Sequence, residues 1–217
     1  MSLTETLLAY NKKSRERIPA ASLAIMDRAT KALVNENIIN NSIKKGDTLP
    51  VTQLVNAKGE KLDLGKLLDN GPLVISFYRG GWCPYCNFEL RALQQIQPEL
   101  KQLGANLVAI TPETPDNSLT TVEKNEIAFD VLTDYDNSYA KELGLVFKMP
   151  PDLQEVYNAF GIDVEAHNEN SNFELPMPAT LVVGSNRKVL YSFVNEDYTK
   201  RADTVAILEA LKQLQLA

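Results

Sequence analysis

The sequence predicts an α/β domain, a central mixed sheet flanked by helices, with an N-terminal helical extension. Three observations predict it. Between residues 73 and 143, short runs rich in β-formers alternate with amphipathic stretches at helical spacing, the pattern of strands covered by helices. Two further apolar runs within residues 179–194 flank a tight turn and read as an antiparallel hairpin. The first 43 residues contain no glycine and are rich in Leu, Ala, Lys, Arg and Glu, which suits helix.

Each element can be justified in turn. Residues 1–43 form the extension and 44–217 the α/β domain. Pro19 divides the extension and fits an early position of a second helix starting near Ile18. In that helix Leu23, Met26, Ala29 (or Thr30) and Leu33 make one apolar stripe. The stripe either docks on the main domain or forms a homodimer or partner contact. After the turn Lys45-Gly46-Asp47, residues 49–55 and 60–64 read as a hairpin, and residues 65–69 as a short helix. Residues 73–78, Leu-Val-Ile-Ser-Phe-Tyr, read as a strand buried on both faces.

A long helix follows, with Leu90, Leu93, Ile96 (or Gln97), Leu100 and Leu103 on one face, Pro98 as an expected kink and Gly104 as its stop. Next come a strand at 105–110, a helix at 116–127, a strand at 129–133 and a helix at 138–143. Residues 152–160 look helical, 163–172 form a polar loop, and 203–214 form a closing amphipathic helix.

Composition sets limits on function. A net charge of −6 argues against a nucleic-acid partner or an acidic membrane surface held by a basic field. No run approaches the roughly 18 apolar residues of a membrane span, and the start does not read as a secretory signal. A cytoplasmic location is the expectation. In that reducing setting two cysteines, Cys83 and Cys86, point to catalysis or metal binding before a structural disulfide. Metal binding needs about four ligands, and the chain offers these two and one histidine, so no metal and no cofactor is expected.

Cys83-Pro84-Tyr85-Cys86 lies where the strand at 73–78 hands over to the long helix. Free N–H groups and the positive dipole end of a helix stabilise a thiolate there. Pro84 is tolerated in a first turn, and two intervening residues let the sulfurs meet. The spacing therefore suits a redox dithiol. A lowered thiol pKa alone accomplishes little: going from about 8.5 to about 7 raises the thiolate fraction roughly 16-fold, but reduced nucleophilicity takes back about 5-fold. Fast chemistry needs donors aimed at the developing charge.

Several segments resemble the peroxiredoxin-like branch of the alkyl hydroperoxide reductase/thiol-specific antioxidant (AhpC/TSA) family: Gly46-Asp47, residues 77–86 (Phe-Tyr-Arg-Gly-Gly-Trp-Cys-Pro-Tyr-Cys), residues 178–182 (Pro-Ala-Thr-Leu-Val) and residues 197–201 (Asp-Tyr-Thr-Lys-Arg). The resemblance covers about residues 46–214 and implies a thioredoxin-like fold. It sets Cys86 on the peroxide-attacking cysteine, Glu89 on a glutamate that commonly follows it, and Cys83 where a peroxide-positioning threonine is usual. The family's arginine beside the thiolate would fall near Pro178, a segment that looks instead like the cis-proline segment of thioredoxin-like disulfide reductases. Arg201 resembles a second active-site arginine, and Arg79 is another candidate. Trp82, Pro84 and Tyr85 complete the expected site.

Three functions follow as expectations. The first is a thiol peroxidase that reduces a hydroperoxide through a Cys83–Cys86 disulfide and is recharged by thioredoxin or a similar dithiol. The second is a protein-disulfide oxidoreductase with Cys83 as nucleophile. The third is a redox-sensing interaction module working through its N-terminal helices. Outside the cysteine segment, His167 reads as solvated, and Glu113, Asp116, Asp134 and Asp136 as turn and helix-cap oxygens.

Overall fold

A computed structural model describes residues 1–215. Seven strands form one mixed sheet in the order β2-β1-β5-β4-β3-β8-β9, where β1 is Gln53–Asn56, β2 Lys61–Asp63, β3 Leu73–Phe77, β4 Asn106–Thr111, β5 Asp130–Thr133, β8 Ala179–Val183 and β9 Val189–Val194. β3, β4 and β5 are parallel, as their helical crossovers require. The hairpins β1–β2 and β8–β9 add antiparallel strands on the two sides, so the sheet is mixed.

β3 shows how sequence becomes architecture. All five residues are buried, and their side chains alternate between two cores. Leu73, Ile75 and Phe77 face a core with Ile110, Leu132, Leu181 and the helix α4 (Leu64–Asp69). Val74 and the following Tyr78 face another with Leu107, Val131, Val182 and the long helix α5 (Pro84–Gln102). That second core also takes Leu3 and Leu7 of α1 (Leu3–Arg15) and Ile207, Leu208 and Leu211 of α10 (Thr204–Gln215).

The extension is three helices, with α2 (Ala20–Asn35) and a short α3 (Ile38–Asn41) after α1. Ser2 and Glu5 close a capping box on α1. The expected α2 starts at Ala20, with Pro19 just outside it. Its stripe is engaged within the chain: Leu33, with Ile25, Met26 and Ala29, packs on Leu153, Val156 and Tyr157 of α8 (Pro151–Ala159). The stripe thus docks on the chain's own domain.

Where the sequence was read as loop, the structure adds order. A two-stranded ribbon joins β6 (Val146–Lys148) to β7 (Glu174–Pro176), and a short helix, α9, spans Val164–Asn168. Both strands are only three residues long, too short for period-two patterning to register. α6 (Pro115–Lys124) and α7 (Ser138–Glu142) complete the helices, and Asp134 caps α7 by accepting from the Tyr139 and Ala140 N–H groups. α5 runs through Pro98 as one continuous helix.

Candidate active site

The site forms where β3 ends. Strand register sets it up: Phe77 pairs with Ile110 on one side and Ala179 on the other, so the carboxyl ends of β3 and β4 meet the start of β8. Pro178 lies just beyond that last pair and Thr180 opposite Ser76, on the face covered by α5. Cys83 is the residue before the first turn of α5, Pro84 its first residue, and Cys86 its third. Both cysteines are free thiols and fully buried.

Each sulfur has its own arginine. Arg201 Nη2 donates to Cys86 Sγ at 3.2 Å, and its Nε lies 2.5 Å from Glu89 Oε2. Glu89 Oε1 accepts from the Thr180 hydroxyl at 2.9 Å. Arg201 also donates to the Tyr198 and Lys200 carbonyls, which fixes the guanidinium plane. On the other side Arg79 Nη2 donates to Cys83 Sγ at 3.2 Å and Nη1 to the Tyr157 hydroxyl at 2.8 Å. The Arg79 guanidinium stacks 4.2 Å from the Tyr198 ring centre and 5.2 Å from that of Trp82. Trp82 meets Tyr157 edge-on at 5.6 Å, and Tyr85 meets Tyr198 likewise at 5.6 Å.

Burial opposes ionisation of both thiols, yet the two move apart. For Cys83 the burial cost is outweighed by a proton shared from Cys86 and by the charges of Arg79 and Arg201, which pull it well below the ordinary thiol range. For Cys86, burial and the neighbouring Cys83 charge push it well above, against the pull of Arg201. The pair therefore loses one proton early and the second late. Facing sulfurs and tyrosines keep Arg79 protonated despite its burial. A pH titration of thiolate absorbance at 240 nm is expected to show one step below and one above the ordinary thiol range.

The sign for stability follows. The depressed Cys83 stabilises the reduced fold at pH above its unfolded value, and this is lost as pH falls through the folded value. The raised Cys86 contributes below its unfolded value and loses that as pH rises.

Arg201 is buried against Cys86 and Glu89. Two other expectations change. No cis peptide bond occurs among the described residues, so Pro178 is not the cis-proline its segment resembles, although it lines the cleft beside Arg79. Glu113 is not a helix cap, and His167, though still partly exposed, is paired with it. Glu113 is buried, accepts the Gly81 N–H at 2.7 Å and pairs with His167 Nδ1 at 2.9 Å.

Glu113 thus anchors the loop that delivers the cysteines. Gly81 is required by close approach, since a Cβ there would lie 2.0 Å from Thr121 Oγ1. Glu113→Ala leaves a partly buried N–H without its partner, and a loss of about 1–3 kcal/mol in denaturant unfolding is expected. Among the described residues no group of three or more His, Cys, Asp and Glu could hold a metal.

Sequence reasoning missed Tyr157, Thr180 and Glu113 as site components. Tyr157 sits on an ordinary amphipathic helix with no local signal. Glu113 followed a parallel strand at its carboxyl end, where α/β sites gather, and that position was the available hint.

With this geometry in view, comparisons with known proteins decide the family. The model of the AhpC/TSA family matches residues 45–192. The chain belongs to the AhpC/TSA family. Its relatives include the chloroplastic peroxiredoxin Q of Sedum lineare, 25% identical over 187 residues, which cover 85% of this chain and 88% of that protein. Peroxiredoxin Bcp of Escherichia coli is 28% identical over 105 residues, 48% of this chain and 67% of that one.

Among solved structures, peroxidoxin BcpB of Mycobacterium tuberculosis superposes with a TM-score of 0.63 at 20% identity, covering 79% of this chain and 98% of that one. A peroxiredoxin-like protein of Aquifex aeolicus gives 0.62 at 16%, covering 80% and 88%. At these identities the structures establish the thioredoxin-like fold of the peroxiredoxins. As a family member the chain is a thiol peroxidase; hydroperoxide substrates and thioredoxin-type reductants are typical of that family. The family match starts at residue 45, after the three N-terminal helices.

Proposed function

We propose that the Cys83–Cys86 pair runs the complete peroxidase cycle within one chain, with Cys86 attacking and Cys83 resolving. The observation that carries this is the Arg201–Glu89–Thr180 network on Cys86, a fixed cation beside the sulfur that must expel an oxygen anion. The resting pair holds one negative charge, and a proton transfer from Cys86 to Cys83 readies the attacking thiolate.

In the first step Cys86 sulfur bonds to the distal peroxide oxygen and the O–O bond breaks; the displaced alkoxide takes the proton that Cys83 received, becoming an alcohol or water and leaving Cys83 as the thiolate. Cys86 is then a sulfenic acid. Cys83 thiolate attacks that sulfur, forming the disulfide and releasing water once the hydroxide is protonated. A dithiol carrier then returns two electrons by disulfide exchange. A reducing, cytoplasmic compartment suits that supply, with no membrane or nucleic-acid partner in the cycle. Among the described residues no helix is long and apolar enough to cross a membrane.

Single-turnover peroxide reactions test the assignment. Cys83→Ser is expected to consume one equivalent of peroxide and accumulate sulfenic acid, trapped by dimedone and read by mass spectrometry. Cys86→Ser is expected to consume none. The reverse outcome transfers the attack to Cys83.

A second reading keeps specific support. Cys83 is the more acidic thiol, touches Arg79 and precedes the helix, as the nucleophile of a protein-disulfide oxidoreductase would. Under that reading Cys86→Ser captures a substrate protein as a mixed disulfide through Cys83.

A further inference from the structure

The three N-terminal helices lie outside the family match, yet two of them, α1 and α2, pack against residues that flank the dithiol. α1 does so from one side: Tyr10 packs edge-on against Tyr85 and Phe88 at 5.3 and 5.2 Å, and the Ser14 and Tyr85 hydroxyls are 3.4 Å apart. α2 does so from the other. Met26, Ala29, Thr30 and Leu33 form one wall of a narrow cleft whose opposite wall includes Arg79, Tyr157, Pro178 and Tyr198. The cleft has a free volume of about 20 Å³, room for roughly one water-sized molecule. Behind its floor the Arg79 guanidinium touches Cys83.

We propose that α2 is a lid that selects what reaches the dithiol by size. Closed, it leaves room beside Arg79 for little more than a water-sized molecule, so hydrogen peroxide is the least hindered oxidant; a bulky organic hydroperoxide or a protein dithiol reaches the sulfurs only when α2 lifts from α8. The proposal rests on the dithiol being the reacting centre.

The lid's attachment is of a kind that can open. Its start at Pro19 has no side-chain cap, and its one ion pair to α8, Arg28 to Asp152 at 2.5 Å, is solvent-exposed on both sides. Such a pair adds little, so α2 is held mainly by the Met26, Ala29 and Leu33 contacts. Arg15 to Asp27, also exposed, ties α2 to α1. Both sulfurs are fully buried, so in-line attack by another protein's thiolate needs this or an equivalent opening.

The test compares bulky and small probes on the full-length protein. Rates are measured for dithiobisnitrobenzoate against methyl methanethiosulfonate with the reduced dithiol, and for cumene hydroperoxide against hydrogen peroxide. Leu33→Asp, which places a carboxylate in the α2–α8 contact, is expected to raise both bulky-to-small ratios at least 10-fold. Should that variant fail to fold, Arg28→Asp carries the test: it is expected to raise the ratios about 2- to 5-fold, and Arg28→Asp with Asp152→Arg to restore them. Unchanged ratios in the folded variants overturn the lid. The thiol reagents need no peroxidase activity, so a protein that reacts with them and not with peroxide removes the peroxidase cycle while the lid is still decided by the reagent ratio.

Discussion

Arg201→Met is expected to slow the reaction of the reduced enzyme with hydrogen peroxide by about 10²–10³-fold, the usual cost of removing one donor to a developing oxyanion. Arg201 is the cation on Cys86 and holds Glu89 in place, so its loss removes charge stabilisation and orientation together. It also leaves Glu89 buried beside an apolar side chain, retaining only the Thr180 hydroxyl. Breaking a buried pair in this way costs roughly 3–5 kcal/mol. Chemical denaturation of the reduced protein reads that loss. The double variant Arg201→Met with Glu89→Gln is expected to regain much of the stability and none of the rate. A variant that keeps its full rate would remove Arg201 from the peroxide step.

Arg79→Met is expected to act on the other sulfur. Without its guanidinium, burial at Cys83 is opposed only by the Cys86 hydrogen bond and the Arg201 charge, so the first thiol titration moves up toward the ordinary range, readable at 240 nm. Sulfenic acid on Cys86 then persists, because the resolving thiolate is scarce at neutral pH. Disulfide formation is expected to slow by about 10-fold or more, in proportion to the lost thiolate fraction. The initial peroxide reaction should change less than in Arg201→Met, since Arg79 donates to Cys83 and not to Cys86. Rapid-mixing fluorescence of Trp82, 5.2 Å from the Arg79 guanidinium, separates the two phases. Equal losses in both phases would mean that the two arginines act on one shared charge and that the division of labour proposed above is wrong.

Much of the fold was legible because it is written locally. β3 is a five-residue run buried on both faces, and α5 declares itself through Leu90, Leu93 and Leu100 on one side. The dithiol was equally plain, since Cys-Pro-Tyr-Cys at a strand-to-helix junction needs only sequence spacing. Asp134 as a helix cap followed from turn chemistry within six residues. The β6–β7 ribbon was not legible, because three-residue strands depend on a partner about 30 residues away.

What sequence by itself determined is the reactive stretch: two cysteines, Pro84 between them, a buried strand before and a long helix after, hence a redox dithiol at a helix start. Which charge faces which sulfur was decided only by the tertiary structure. Arg79 is four residues from Cys83, but Arg201 comes 115 residues after Cys86, brought there by the chain that follows β9. Glu113, Tyr157 and Thr180 enter from three further elements in the same way. The physical reason is that a thiol's acidity and reach depend on burial and on charges a few ångströms away, and those distances belong to packing between elements remote in the chain. The α2 wall over the cleft has the same origin: its apolar stripe is visible in sequence, but only docking on α8 gives it something to cover.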